Sequence, residues 1–121
     1  MAKRILAVDD SKTMRDMVSF TLKGGGYDVV LAEDGQQALE MSDGQRVDLV
    51  ITDVNMPRMD GIALTQNLRA KASYKSTPIL ILTTESDQSM KDKGRAAGAT
   101  GWIVKPFTPD KLIQVVKKVC G

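Results

Sequence analysis

Five short apolar runs recur along the chain: Ile5–Val8, Val29–Ala32, Leu49–Thr52, Ile79–Thr83 and Trp102–Val104. Each is continuous rather than alternating, and rich in Ile, Val and Leu. Alternation marks a strand with one wet face; a continuous run marks one covered on both faces, as in a parallel sheet. The intervening stretches carry helix start and stop signals. Ser11 predicts a cap before Met14, Met17, Val18 and Leu22, which share one helical face, and the glycines at 24–26 end that helix. Asp34 predicts a cap for a short helix around Ala38, Leu39 and Met41, and Asp60 one for a helix carrying Leu64 and Leu68. Ser86 or Asp87 predicts the cap of a fourth helix ending near Gly98. Thr108 followed by Pro109 is a strong start for a last helix burying Leu112, Ile113, Val116 and Val119. Strand and helix alternate five times, so the predicted fold is a doubly wound α/β sandwich with a five-stranded parallel sheet and five helices.

Composition narrows the class. At 121 residues, 42% apolar and 26% charged, the chain reads as one soluble globular domain spanning 1–121. A net charge of +2 is too small to argue for nucleic acid. The N-terminus has only four apolar residues between Arg4 and Asp9, too few for a signal peptide or a membrane span. One cysteine, Cys120, cannot form an internal disulfide, and with no histidine there is no catalytic triad and no His-ligated metal. The expectation is a small cytoplasmic protein, complete in itself because it ends at Cys120-Gly121 directly after a helix, with neither nucleic acid nor membrane as partner.

Chemistry collects where the predicted strands end. Asp9 and Asp10 follow the first, Asp53 the third, Thr83-Thr84-Glu85 close the fourth, and Lys105-Pro106 follow the fifth. In a parallel sheet these emerge at one edge, where open α/β sheets place their ligands. Two like charges 4 Å apart cost roughly 4 kcal/mol at an effective dielectric of about 20. Lys105 alone does not offset three acids, whereas a divalent cation does. The donors are oxygens only, which favours Mg²⁺ or Mn²⁺ over zinc. Mg²⁺ commonly takes one or two carboxylates, waters and a phosphate oxygen. The cluster therefore reads as a Mg²⁺ and phosphate site, with Lys105 as a point charge, Thr83 as a hydroxyl donor and Asp53 able to accept a phosphoryl group itself.

Four separated motifs, AVDD (7–10), ITDVNMPRMDG (51–61), ILTTE (81–85) and IVKPF (103–107), resemble the receiver domain of two-component response regulators, most closely the stand-alone CheY-like chemotaxis form. The resemblance spans nearly the whole chain. It implies a flavodoxin-like fold with strand order 2-1-3-4-5, leaving the second strand at an edge. It implies that Asp53 is the phospho-acceptor, that Asp10 and Asp53 bind Mg²⁺ directly, Asp9 through water and Asn55 through its backbone carbonyl. Thr83 and Lys105 would hold the phosphoryl group, and Lys105–Pro106 would be a cis peptide. Trp102 occupies the place where the family usually carries Tyr, Phe or His, an aromatic that turns inward when the Thr83 position moves; it should lie on the outer side of the fifth strand. The implied partners are a histidine kinase (CheA-like) and a flagellar motor switch protein (FliM-like) or a phosphatase, for a monomer that is no enzyme beyond its own phosphoryl uptake and loss. A phosphate sink or relay shuttle is the alternative within the family.

Other readings fare worse. A flavin carrier is disfavoured by the acidic loop at 9–13, and an aspartyl phosphohydrolase by Asn55 standing two residues after Asp53, where such an enzyme needs a second acid. A P-loop GTPase lacks its glycine-lysine loop. The methionines read as core filler. Asp34 reads as a cap rather than a site residue, and Lys91, Lys93 and Arg95 as a solvated helix face. Gly94, inside the fourth helix, marks either an easily moved helix or close packing.

Overall fold

The computed structural model describes residues 3–44, 46–84 and 88–120. Strands and helices alternate as β1 (Arg4–Val8), α1 (Lys12–Gly24), β2 (Asp28–Ala32), α2 (Gly35–Ser42), β3 (Leu49–Asp53), α3 (Gly61–Arg69), β4 (Ile79–Thr83), α4 (Gln88–Ala97), β5 (Gly101–Val104) and α5 (Pro109–Cys120). A short 3₁₀ turn at Ala72–Tyr74, not foreseen from the sequence, leads from α3 towards β4. The strands pair in parallel in the order β2-β1-β3-β4-β5. Every residue of β3 and β4 is buried, whereas β2 is only partly covered, which fits its place at an edge.

The sheet is covered on both faces, which is why its strands read as unbroken apolar runs. On one face α1 and α5 set Val18, Leu22, Leu112 and Val116 against Ile5, Ala7, Leu49, Ile51, Leu80, Leu82 and Ile103. On the other, Ala38, Leu64, Leu68 and Tyr74 pack on Leu6, Val8, Val50 and Ile79. Met14 and Met17 fill gaps at the first cluster, and Met41, Met56 and Met59 at the second.

Helix starts follow the side-chain chemistry. Ser11 Oγ accepts from Met14 N, Asp34 Oδ1 from Gln37 N, Asp60 Oδ1 from Ala63 N and Thr108 Oγ1 from Lys111 N, each relieving an N–H that lacks a partner within its helix. The cap expected at Ser86 or Asp87 lies outside the described residues. Gly94 is resolved in favour of close packing: a Cβ there would lie 3.2 Å from Ile81 Cδ1.

One polar anchor holds the far end of α4. Arg69, in the last turn of α3, donates from Nη1 to the Tyr74 and Thr77 carbonyls at 2.6 Å each, and from Nε to the Gly98 carbonyl at 2.9 Å. A single guanidinium thus ties α3, the 3₁₀ turn and the end of α4 together. Because charged hydrogen bonds contribute about 1.5–3 kcal/mol, Arg69→Met should lower unfolding free energy by about 2 kcal/mol in urea titration. Arg69→Lys should recover less than half of that loss, since one ammonium does not span the same carbonyls.

Candidate functional site

The carboxyl ends of β1, β3, β4 and β5 converge at one edge of the sheet. The parallel register sets Val8 beside Thr52, Asp53 beside Leu82, and Thr83 beside Val104, so the residues after each strand emerge together. One oxygen each of Asp9, Asp10 and Asp53 lie within 4.8 Å of one another. Asp9 and Asp53 are buried and Asp10 is exposed.

Lys105 is the cation among them. Its Nζ lies 3.1 Å from Asp53 Oδ1 and 3.3 Å from Asp9 Oδ2, and its side chain is only 14% exposed. The ammonium is brought there by β5: the Lys105 N–H donates to the Thr83 carbonyl at 2.7 Å, and the Lys105–Pro106 peptide bond that follows is cis. The Asp9 and Asp53 carboxylates are also held by local backbone N–H groups. Asp9 Oδ1 accepts from Ser11 N at 2.9 Å. The Asp9 carbonyl accepts from Arg15 Nη1 at 2.7 Å. Asp53 Oδ1 accepts from Val54 N at 2.9 Å. Immediately downstream the backbone doubles back, with Gly61 N donating to the Val54 carbonyl. Only glycine fits at 61, because a Cβ would stand 2.1 Å from the Asp53 carbonyl oxygen.

Burial and the neighbouring Asp9 carboxylate push the Asp53 carboxyl above its usual pKa, against the opposing pull of Lys105. Three carboxylates and one ammonium leave a formal charge of −2. An oxygen-only donor set carrying that charge suits a hard divalent cation such as Mg²⁺. Thr83 is buried at the end of β4, and Asn55 is exposed on the loop after β3. Glu85, at the end of the motif after β4, lies outside the described residues.

Trp102 is half-buried on β5, paired with Ile81. Strand parity puts Trp102, Val104, Ile81 and Thr83 on the face that α4 covers. Lys91 Nζ lies 5.3 Å and Arg95 Cζ 5.8 Å from the centre of the Trp102 ring. Two of the three residues read as a solvated helix face are therefore cation–π partners of Trp102, an attraction of order 0.5–1 kcal/mol at exposed sites. Sequence reasoning missed three arginines: Arg15 on the Asp9 carbonyl, Arg69 on its carbonyls, and Arg58, whose guanidinium pairs with Asp34. Asp34 is a cap, as expected, and a salt-bridge acceptor as well. No periodicity or short motif marks these contacts.

The raised Asp53 carboxyl has a consequence for stability. A folded value above the unfolded one means that the folded state prefers the neutral acid. That advantage is full below the ordinary carboxylate range and is lost as pH rises through the folded value. In EDTA at pH 7, Asp53→Asn should therefore be more stable to urea than wild type, by on the order of 1 kcal/mol, the scale of one screened charge repulsion. The gap should close as pH falls below about 4. A gap that widens in acid would mean that the ionised Asp53 is not destabilising.

Residues 5–117 match the response regulator receiver domain family. A chemotaxis protein CheY homolog of Campylobacter jejuni is 40% identical over 120 residues, covering 98% of this chain and 92% of its own. The structure of chemotaxis protein CheY4 of Vibrio cholerae superposes with a TM-score of 0.96 at 47% identity, covering 98% of this chain and 99% of that one. The receiver domain of the sensor histidine kinase PA1611 of Pseudomonas aeruginosa, with a magnesium ion coordinated in its active-site cleft, matches with a TM-score of 0.92 at 29% identity, over 100% of this chain and 99% of that one. No described helix is long and apolar enough to cross a membrane. The chain belongs to the response regulator receiver domain family of two-component systems, and within that family it is closely related to the CheY chemotaxis proteins.

Proposed function

We propose that this chain acts as a stand-alone receiver whose Asp53 takes a phosphoryl group from the phosphohistidine of a CheA-like histidine kinase. The observation that carries the reading is the grouping of Asp9, Asp10 and Asp53 within 4.8 Å, with Lys105 bonded to two of them at the ligand edge of the sheet. Asp10, Asp53 and the Asn55 carbonyl would hold Mg²⁺ directly and Asp9 through water, and the ion would offset the charge of carboxylate and phosphate as they approach. An Asp53 carboxylate oxygen attacks phosphorus, the P–N bond breaks, and the kinase imidazole leaves with the electron pair. Lys105, already beside Asp53 Oδ1, then donates to a phosphoryl oxygen, and the Thr83 hydroxyl donates to another.

The signal leaves through the surface next to Thr83. Drawing Thr83 towards the phosphate opens room along the face shared with Trp102, and α4, β5 and α5 present a changed surface to a FliM-like motor protein or a phosphatase. In this reading the protein is a cytoplasmic single-domain monomer in chemotaxis, and it catalyses only its own phosphoryl uptake and loss.

Intact mass after incubation with acetyl phosphate and Mg²⁺ should show one added phosphoryl group. It should be absent from Asp53→Asn and from wild type in EDTA. A modification that survives in Asp53→Asn places the acceptor elsewhere.

The Trp102 indole, the single tryptophan of the chain, reports the second half of the proposal. Beryllofluoride with Mg²⁺ should shift its emission to the blue as the ring leaves Lys91 and Arg95 and moves inward. The shift should vanish in Asp53→Asn and Thr83→Ala. An unchanged spectrum, with occupancy verified by fluorine NMR, would remove Trp102 from the switch.

A further inference from the structure

Arg58 stands five residues after Asp53, with a left-handed φ of +66°. A residue with a Cβ holds that conformation only when its surroundings impose it. The imposing contact is a fork. Arg58 Nε donates to Asp34 Oδ2 and Nη2 to Asp34 Oδ1, both at 3.0 Å. Asp34 is itself immobilised, because its side chain is 11% exposed and Oδ1 also accepts from Gln37 N as the cap of α2. The guanidinium holds the Asp34 carboxyl below its usual range.

The backbone is equally close at the same point. A Cβ on Gly35 would stand 2.4 Å from the Met59 carbonyl oxygen, so the loop and the start of α2 touch main chain to main chain. At the other end of the loop, Gly61 N bonds the Val54 carbonyl. Residues 54–60 are thus pinned at both ends, and the pinned segment contains Asn55 and directly follows Asp53.

We propose that Arg58 is a positioning residue for the cation and phosphoryl chemistry: its fork onto Asp34 holds the 54–60 loop, and with it the Asn55 carbonyl, in one ordered form before any cation arrives. The inference rests on the assignment of Asp53 and Asn55 as cation ligands made above. Arg58 touches neither phosphate nor metal. It acts by removing the cost of ordering the loop, so its loss is felt in cation affinity rather than in the attacking step.

The test uses the full chain with Arg58→Ala, Arg58→Lys, Asp34→Asn and the double variant Arg58→Ala/Asp34→Asn. Three quantities are measured: exchange of the Met59 and Gly61 amides in EDTA, Mg²⁺ affinity by calorimetry, and the melting temperature. Arg58→Ala should speed exchange of both amides severalfold. It should weaken Mg²⁺ binding about tenfold, the scale seen when a group supporting metal ligands is lost. The melting temperature should fall by only a few degrees, because Arg58 is more than half exposed. Arg58→Lys, a point charge without the fork, should fall between. Asp34→Asn keeps a helix cap, since Asn caps as well as Asp, and should match Arg58→Ala. The double variant should be no worse than either single one, because all three break one contact. Unchanged Mg²⁺ affinity in Arg58→Ala, whether or not melting falls, overturns the role, as do losses that multiply in the double variant. Wild-type protein that binds no Mg²⁺ overturns the cation site and this role with it. Wild-type protein that binds Mg²⁺, beside an Arg58→Ala that binds it equally well, overturns the role of Arg58 alone.

Discussion

The contact of Lys105 with Asp9 and Asp53 is the interaction around which the molecule is arranged. Two carboxylates buried at the edge of an apolar sheet are costly, and their mutual repulsion adds to the cost. One ammonium shared between them at 3.1 and 3.3 Å offsets part of it and leaves the rest as a demand for further positive charge. The demand depends on the fold. A parallel sheet delivers β1, β3 and β5 to one edge, where burial removes part of the water that would otherwise solvate Asp9 and Asp53. The tightest local constraint is at Gly61, where a Cβ would stand 2.1 Å from the Asp53 carbonyl oxygen, so only a residue without one lets the backbone fold back there.

The two faces of the sheet are built differently. Beneath α1 and α5 the packing is a continuous apolar cluster that includes strands from β1 to β5. Along α4 the contact is thinner and partly polar: Gly94 lies against Ile81, and Lys91 and Arg95 rest over Trp102. Cation–π contacts at a partly exposed ring are weak compared with apolar burial, so the part of this face beneath α4 is less costly to rearrange than the cluster under α2 and α3. Its far end is not loose, because Arg69 ties the Gly98 carbonyl to α3 and the 3₁₀ turn. Thr83 and Trp102 share this face, so a change at the charged edge and a change at the α4 surface are neighbouring events on one side of two adjacent strands.

The loop after β3 shows a third use of charge. Arg58 accepts an unfavourable backbone geometry in exchange for two hydrogen bonds to Asp34. Asp34 serves α2 and this loop with the same carboxylate, so the start of a helix and the rim of the acidic cluster share one anchor.

The strands, most helix starts and the charged edge were legible along the chain, because each rests on local chemistry. Buried strands must be apolar without interruption. Ser11, Asp34, Asp60 and Thr108 cap helices through N–H groups only three residues away. Asp9, Asp10, Asp53 and Lys105 could be grouped because parallel strands end at a common edge, and the motifs around them pointed to the family. Tertiary structure alone decided which long side chains reach which partners. Arg58 meets Asp34 across 24 positions and Arg69 meets Gly98 across 29. Lys91 and Arg95 meet Trp102 only because α4 lies over β5. A flexible side chain can reach many partners from one backbone position, and its choice follows from packing geometry that no periodicity in the sequence records.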